Sequence, residues 1–170
     1  EGSAATGSAA DLTTEAVREY ERPLMGYALS LLKDAETARD VVQDTFLKLH
    51  QQPPRDPESS LKSWLFTVCR NRAFDLMRKE RPMVKLQESA LDGLQSDDRT
   101  PVEEVQHREA KRAAVRMLER LPENQREVIR LRFQGDLSYK EISEITQLSV
   151  SNVGFLMHTG LKRLRVLMAD

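Results

Sequence analysis

The sequence predicts an all-α protein made of two small helical domains joined by a flexible linker, the C-terminal one a helix-turn-helix. Three observations carry this expectation. Apolar residues recur at helical spacing through most of the 170 residues, and no segment alternates with the period of two that a half-buried strand requires. Two stretches, one proline-rich and one acidic and polar, punctuate the pattern. Near the C-terminus, two serine-marked helix starts follow one another closely, at Ser138 and Ser149.

Taken in order, residues 1–10 are rich in Gly, Ser and Ala and are expected to be a disordered leader or an expression remnant. Leu12 to Leu32 follows with Leu24, Ala28, Leu31 and Leu32 at helix intervals, but Pro23 interrupts it, so two helices or a kink are expected there. Asp34 is placed to cap a second helix whose Ala38, Val41, Val42, Thr45, Phe46 and Leu49 form one stripe. Gln51 to Ser60 holds three prolines and must be a loop, after which Ser60 caps a third helix running to about Glu80. Residues 11–81 thus make the first domain. An acidic linker is expected over 82–101, with Val84 to Leu94 able to form a marginal helical turn. The second domain, 102–170, begins with a helix from Val102 to Arg120. Pro122 suits the first turn of the next helix, and Gly135 its C′ position.

Ser138-Tyr139-Lys140-Glu141 is a capping box, with serine and glutamate each satisfying the other's amide. It opens a short helix that buries Ile142 and Ile145. A turn at Leu148-Ser149-Val150 leads into a long helix to about Ala169, with Val150, Val153, Met157, Leu161, Leu164 and Met168 on one face. A short helix, a tight turn and a capped second helix form the helix-turn-helix pattern, which sets the start of its second helix in the major groove of DNA. Ser149, Ser151, Asn152 and Phe155 would then face the bases: asparagine can bond adenine bidentately, and a ring can touch a thymine methyl. Lys140, Lys162, Arg163 and Arg165 would hold phosphates. A plain helical hairpin is the alternative.

The net charge of −1 conceals segregation. Residues 1–61 carry 6 basic against 11 acidic side chains, and 62–81 carry 6 against 2. Residues 82–104 are acidic again and 105–170 basic, a pattern suited to a protein that meets DNA at two places, although solvated helix faces also account for it. No uncharged apolar run is long enough to span a bilayer. The single cysteine, Cys69, cannot form an internal disulfide, which fits a reducing, cytoplasmic setting. No CxxC, HExxH or Walker-type loop is present, and His50, His107 and His158 are scattered, so neither a metal nor a cofactor is expected.

Two further faces are candidate interfaces. On the third helix, Leu61, Leu65, Cys69, Ala73, Leu76 and Met77 share an apolar arc, opposite Trp64, Thr67, Asn71, Asp75 and Arg78. Lys62, Arg70, Arg72 and Lys79 flank that arc. An indole among polar and cationic groups suits stacking with single-stranded or melting DNA. Packing of Trp64 against the first helices is the stronger reading for the indole; DNA is the stronger reading for Asn71 and Arg78. On the second helix, Asp40, Gln43, Asp44 and Leu47 form an acidic stripe with an apolar end, which fits a basic partner helix or, equally, a solvated face.

The segment from Asp34 to Leu49 resembles region 2.2 of sigma-70 family factors. Trp64 to Arg78 resembles regions 2.3 and 2.4. Leu121 to Phe133, Leu137 to Ile142 and Lys162-Arg163-Leu164-Arg165 resemble region 4. With no room for a third sigma domain between them, the chain is similar to the extracytoplasmic-function (ECF) group. The resemblance implies a non-catalytic specificity subunit of RNA polymerase that directs promoter recognition and melting. Asp40, Gln43, Asp44 and Leu47 would dock on the β′ clamp helices, and the C-terminal domain would meet the β flap. Asn71 and its neighbours, with the proline-rich loop, would capture the −10 element, and Ser149 to Phe155 would read the −35 element. The acidic linker would thread toward the active-site and RNA-exit channels. Two positions depart from the family pattern. Arg39 stands where an acid is common, and Gly154-Phe155-Leu156-Met157 replaces a basic, polar run, whereas His158 matches; the change leaves fewer cations near the groove, and the extra apolar side chains would instead suit a protein contact such as an anti-sigma factor.

Two other functions fit parts of the sequence. A conventional helix-turn-helix regulator would be a dimer on a palindromic site, whereas a sigma factor is expected to be monomeric on two unlike elements. An enzyme is poorly supported, since Asp75 near Arg78 and the Asp40/Asp44 pair lack a nucleophile or a metal motif.

Overall fold

A computed structural model describes residues 3–55, 60–79 and 100–169, with side chains from residue 9 onward. Among these residues there are seven helices and no strand. The chain divides into two compact units, residues 1–85 and 86–170. None of the described helices is long and apolar enough to cross a membrane.

The first unit is a three-helix assembly of α1 (Ser3–Leu32), α2 (Ala35–Gln51) and α3 (Leu61–Lys79). Two expectations for α1 are corrected. The helix reaches back to Ser3, into the stretch expected as a disordered leader, where alanine favours helix. It also continues through Pro23, with no break into two helices. Proline removes one amide bond, to the carbonyl of Glu19, but Glu19 is exposed and water can satisfy it. The turns that follow are clamped by buried Leu24, Tyr27, Ala28, Leu29, Leu31 and Leu32. Lys33 ends the helix in the left-handed region, at φ 60°, its amide donating to the Leu29 carbonyl at 2.8 Å.

Asp34 caps α2 as expected, accepting from the Thr37 amide at 3.1 Å and from the Thr37 hydroxyl. The predicted stripe of α2 is buried in full. Thr45 lies on it because its hydroxyl donates to the Val41 carbonyl at 2.8 Å, which satisfies the one polar atom placed there. Ser60 caps α3 by accepting from the Ser63 amide at 3.0 Å. The buried face of α3 is Ser63, Leu65, Phe66, Cys69 and Ala73. Leu61, Leu76 and Met77, expected there, are only half-buried, because Phe66 turns the face toward α1. Its ring lies 5.5 Å from that of Tyr27, at 55°. Such a pair contributes about 1 kcal/mol beyond its buried area.

The second unit comprises α4 (Pro101–Glu119), α5 (Glu123–Gly135), α6 (Tyr139–Thr146) and α7 (Val150–Ala169). Most of the expected linker, including Val84 to Leu94, lies outside the described residues. Its last residues do not belong to a linker: Thr100 caps α4 in a reciprocal box with Glu103, and Pro101 is the first helical residue. Pro122 sits at the N-cap of α5, one position earlier than expected. The left-handed position that closes α5 falls on Asp136, at φ 50°, and not on Gly135, which is the last helical residue and is buried. Aspartate tolerates this conformation better than most side chains.

The core of this unit joins Val128, Ile129 and Leu131 of α5 to Leu137, Ile142 and Ile145, and to Val153 and Met157 of α7. Gly160 sets the closest approach: a Cβ there would lie 2.7 Å from the Ile129 Cδ1 and 3.2 Å from the Gln125 Cβ. α4 packs mainly on α7 and buries no side chain completely. The apolar face expected along α7 is therefore shorter than predicted. Val153 and Met157 are buried, Leu161 and Leu164 are half-buried, and Val150 and Met168 stand in solvent.

Candidate polymerase and nucleic-acid interfaces

Burying the Ala38–Leu49 stripe of α2 forces the residues between its members outward. Asp40, Gln43, Asp44 and Leu47 are all exposed, and Leu47 keeps 53% of its surface in solvent. These four form a continuous acidic ridge with an apolar end. An exposed leucine beside two carboxylates suits a partner offering both cations and an apolar contact.

On α3 the candidate residues do not behave alike. Asn71, Arg78 and Lys79 are exposed, whereas Lys62, Trp64, Arg70 and Asp75 are half-buried. Trp64 thus sits between the two readings of its sequence, partly packed and partly open. Arg70 holds its guanidinium 4.4 Å above the ring of Phe74. Asp75 is ion-paired with Arg78 one turn on. One member of this surface, Phe74, is absent from the face read in the sequence. Phe74 was legible, since it lies four residues from Arg70 and can meet it on one helix face. Arg72, placed beside this face by the sequence, has a partner the sequence does not show, on another helix: its Nε lies 3.4 Å from Oδ2 of Asp44 on α2. The acidic ridge and the basic helix therefore touch.

In the second unit, the capping box of Ser138 and Glu141 is formed, with bonds of 3.1 and 3.0 Å. α6 ends at Gln147, which takes the left-handed φ of 64°. That single residue turns the chain into the short connection before α7. The Ser143 hydroxyl ties the turn down by donating to the Leu148 carbonyl. Ser149 then accepts from the Asn152 amide at 3.1 Å, so its hydroxyl is the cap of α7. Ser151, Asn152 and Phe155 project from the first turns of α7 and are exposed. Lys140 on α6 and Lys162, Arg163 and Arg165 farther along α7 are exposed as well. This is a helix-turn-helix whose second helix presents its start to solvent with cations on either side.

Comparison with known proteins agrees with this geometry in both units. Residues 16–82 match the family model for sigma-70 region 2, and residues 111–164 match that for sigma-70, region 4. The chain is 30% identical to the ECF RNA polymerase sigma factor SigM of Bacillus subtilis, over 90% of this chain and 93% of that one. It is 34% identical to the ECF RNA polymerase sigma factor RpoE of Cereibacter sphaeroides, over 76% and 69%. Among solved structures, it is similar to the sigma factor RpoE in complex with the anti-sigma factor NepR from Bartonella quintana. That match has a TM-score of 0.67 at 25% identity and covers 94% of this chain and 97% of that one. The fold is also that of CnrH in complex with the cytosolic domain of CnrY, with a TM-score of 0.68 over 96% and 94% of the two chains. The chain belongs to the sigma-70 family, in its ECF group, and is an RNA polymerase sigma factor acting in transcription initiation.

Proposed function

We propose that the two units divide the work of initiation, residues 11–81 gripping core polymerase and the −10 element and residues 102–170 reading the −35 element. In this reading Asp40, Gln43, Asp44 and Leu47 bind the clamp helices of the β′ subunit, and the second unit rests on the β flap. Trp64, Asn71 and the cations Lys62, Arg70, Arg78 and Lys79 hold unpaired bases and phosphates of the melted strand, while Asp75 orients Arg78. Unstacking a base costs a few kcal/mol, which stacking and charge on this surface offset. Ser151, Asn152 and Phe155 read base edges, Ser149 fixes the start of their helix, and Lys140, Lys162, Arg163 and Arg165 clamp phosphates.

The observation that carries this reading is the placement of an acidic ridge and a basic, Asn-bearing face on adjacent helices of one unit, joined by Asp44 and Arg72. A protein that must hold polymerase and melted DNA at one point needs that juxtaposition. A dimeric operator-binding regulator does not. The chain contributes specificity and no catalytic group of its own, acts in the cytoplasm at the nucleoid, and is open to binding by an anti-sigma factor, as the similar sigma factor RpoE of Bartonella quintana is found in complex with NepR.

The test is the Asn71→Ala variant assembled with core polymerase. Closed binding to promoter duplex should persist while permanganate-reactive thymines in the −10 segment are lost. Equal loss of both would remove Asn71 from base capture.

A further inference from the structure

The start of α7 is apolar where a groove-reading helix commonly carries cations. From Ser149 to Leu161 the chain has no lysine or arginine. Phe155 nevertheless keeps 63% of its surface in solvent and Val150 keeps 48%. Gly154 lies between them, with the Tyr139 ring of α6 beside it, itself 40% exposed. Packing does not require that glycine, since a Cβ would stand 3.8 Å from the nearest Tyr139 carbon, an ordinary contact. Gly160 on the same helix differs, because its Cβ would collide with Ile129. Exposed Lys140, Lys162, Arg163 and Arg165 lie outside this patch, on α6 and later on α7. Exposed apolar side chains at the helix start, with cations elsewhere on α6 and α7, complement a DNA groove, whose floor carries base edges and whose walls carry phosphates.

The geometry points to a −35 reader that recognises thymine 5-methyl groups, through Phe155 and Val150. This rests on the assignment of α7 to the major groove. The thymine methyl is the apolar group that bases present there. Guanine is most often read by a bidentate arginine or lysine, which these turns lack, while Asn152 is suited to adenine. The recognised element is therefore read as A·T pairs at the positions under the first two turns of α7.

The experiment uses the full chain with core polymerase and a library of duplexes randomised upstream of a fixed, pre-melted segment. The enriched duplex is resynthesised with deoxyuridine for thymine in the randomised part, which removes the methyls and leaves pairing intact. Affinity of the wild type is expected to fall about fourfold for each methyl contacted. Phe155→Ala should bind the thymine and deoxyuridine forms more nearly alike. Equal wild-type affinity for the two forms overturns the inference, and this arm needs no variant. If Asn152→Ala loses binding while methyl removal has no effect, α7 remains the reader and only methyl recognition fails. If no duplex is enriched, or if Asn152→Ala and Phe155→Ala both bind as wild type, the assignment of α7 to the groove fails with it.

Discussion

Nε of Arg72 on α3 lies 3.4 Å from Oδ2 of Asp44 on α2, so the ridge assigned to polymerase and the helix assigned to melted DNA share an ion pair. Both side chains are about half exposed, at 45% and 52% of their surface. A pair in that setting is worth at most about 1 kcal/mol of stability. In the proposed reading its weight falls on function, because a partner that took Asp44 would also change what Arg72 faces.

Asp44→Ala is accordingly expected to weaken binding to core polymerase about tenfold, while thermal stability changes by no more than about 1 kcal/mol. Anisotropy of the labelled chain against core enzyme, paired with a thermal melt, separates the two. A loss of affinity matched by loss of fold would assign Asp44 to structure and not to docking.

The two glycines of α7 should respond oppositely to alanine. Gly154→Ala adds helix propensity without a clash and is expected to stabilise the second unit by up to about 1 kcal/mol. Gly160→Ala must displace the buried Ile129 side chain and press on the Gln125 Cβ. It is expected to destabilise by about 1–2 kcal/mol despite the same propensity gain. Urea unfolding of the full-length variants reads both signs.

Acid and alkali should loosen the first unit through different groups. Burial pushes the Cys69 thiol up from 9.0 to about 12, with the Thr45 contact opposing only part of it. The folded state thus holds its proton where the unfolded chain has released it. Stability from this site is complete below pH 9 and declines as pH rises toward 12. Cys69→Ala should flatten that alkaline decline, and in the folded wild type at neutral pH the thiol should resist modification until the chain unfolds. The hydroxyl of Thr37, and then its amide, hold Asp34 below the usual carboxylate range. That contribution is present above pH 3.8 and is lost as pH falls further. Asp34→Asn should remove this acid-side slope while retaining a cap.

How far the sequence could be read depended on whether a feature was local. Caps at Asp34, Ser60, Ser138 and Ser149 were legible because each needs only a side chain and an amide three residues ahead. The α2 ridge was equally legible, since one helix periodicity fixes both its buried stripe and its exposed side. Errors arose where tertiary packing decided. Pro23 read as a break, yet burial of the turns beyond it carries α1 through. Phe66 did not stand out on its own helix, and its ring pairs with that of Tyr27 across the core. Gly135 and Asp136 competed for one left-handed position, and the buried neighbour stayed helical. The Asp44–Arg72 pair joins side chains 28 positions apart in sequence, beyond the reach of any single-helix pattern.

Run-off transcription with purified bacterial core polymerase on a promoter library tests the central claim most directly. Transcripts should depend on both core enzyme and this chain, and should start downstream of two unlike elements, with the chain acting as a monomer. Silence from core enzyme, together with binding of the chain as a symmetric dimer to palindromic duplexes, would contradict it.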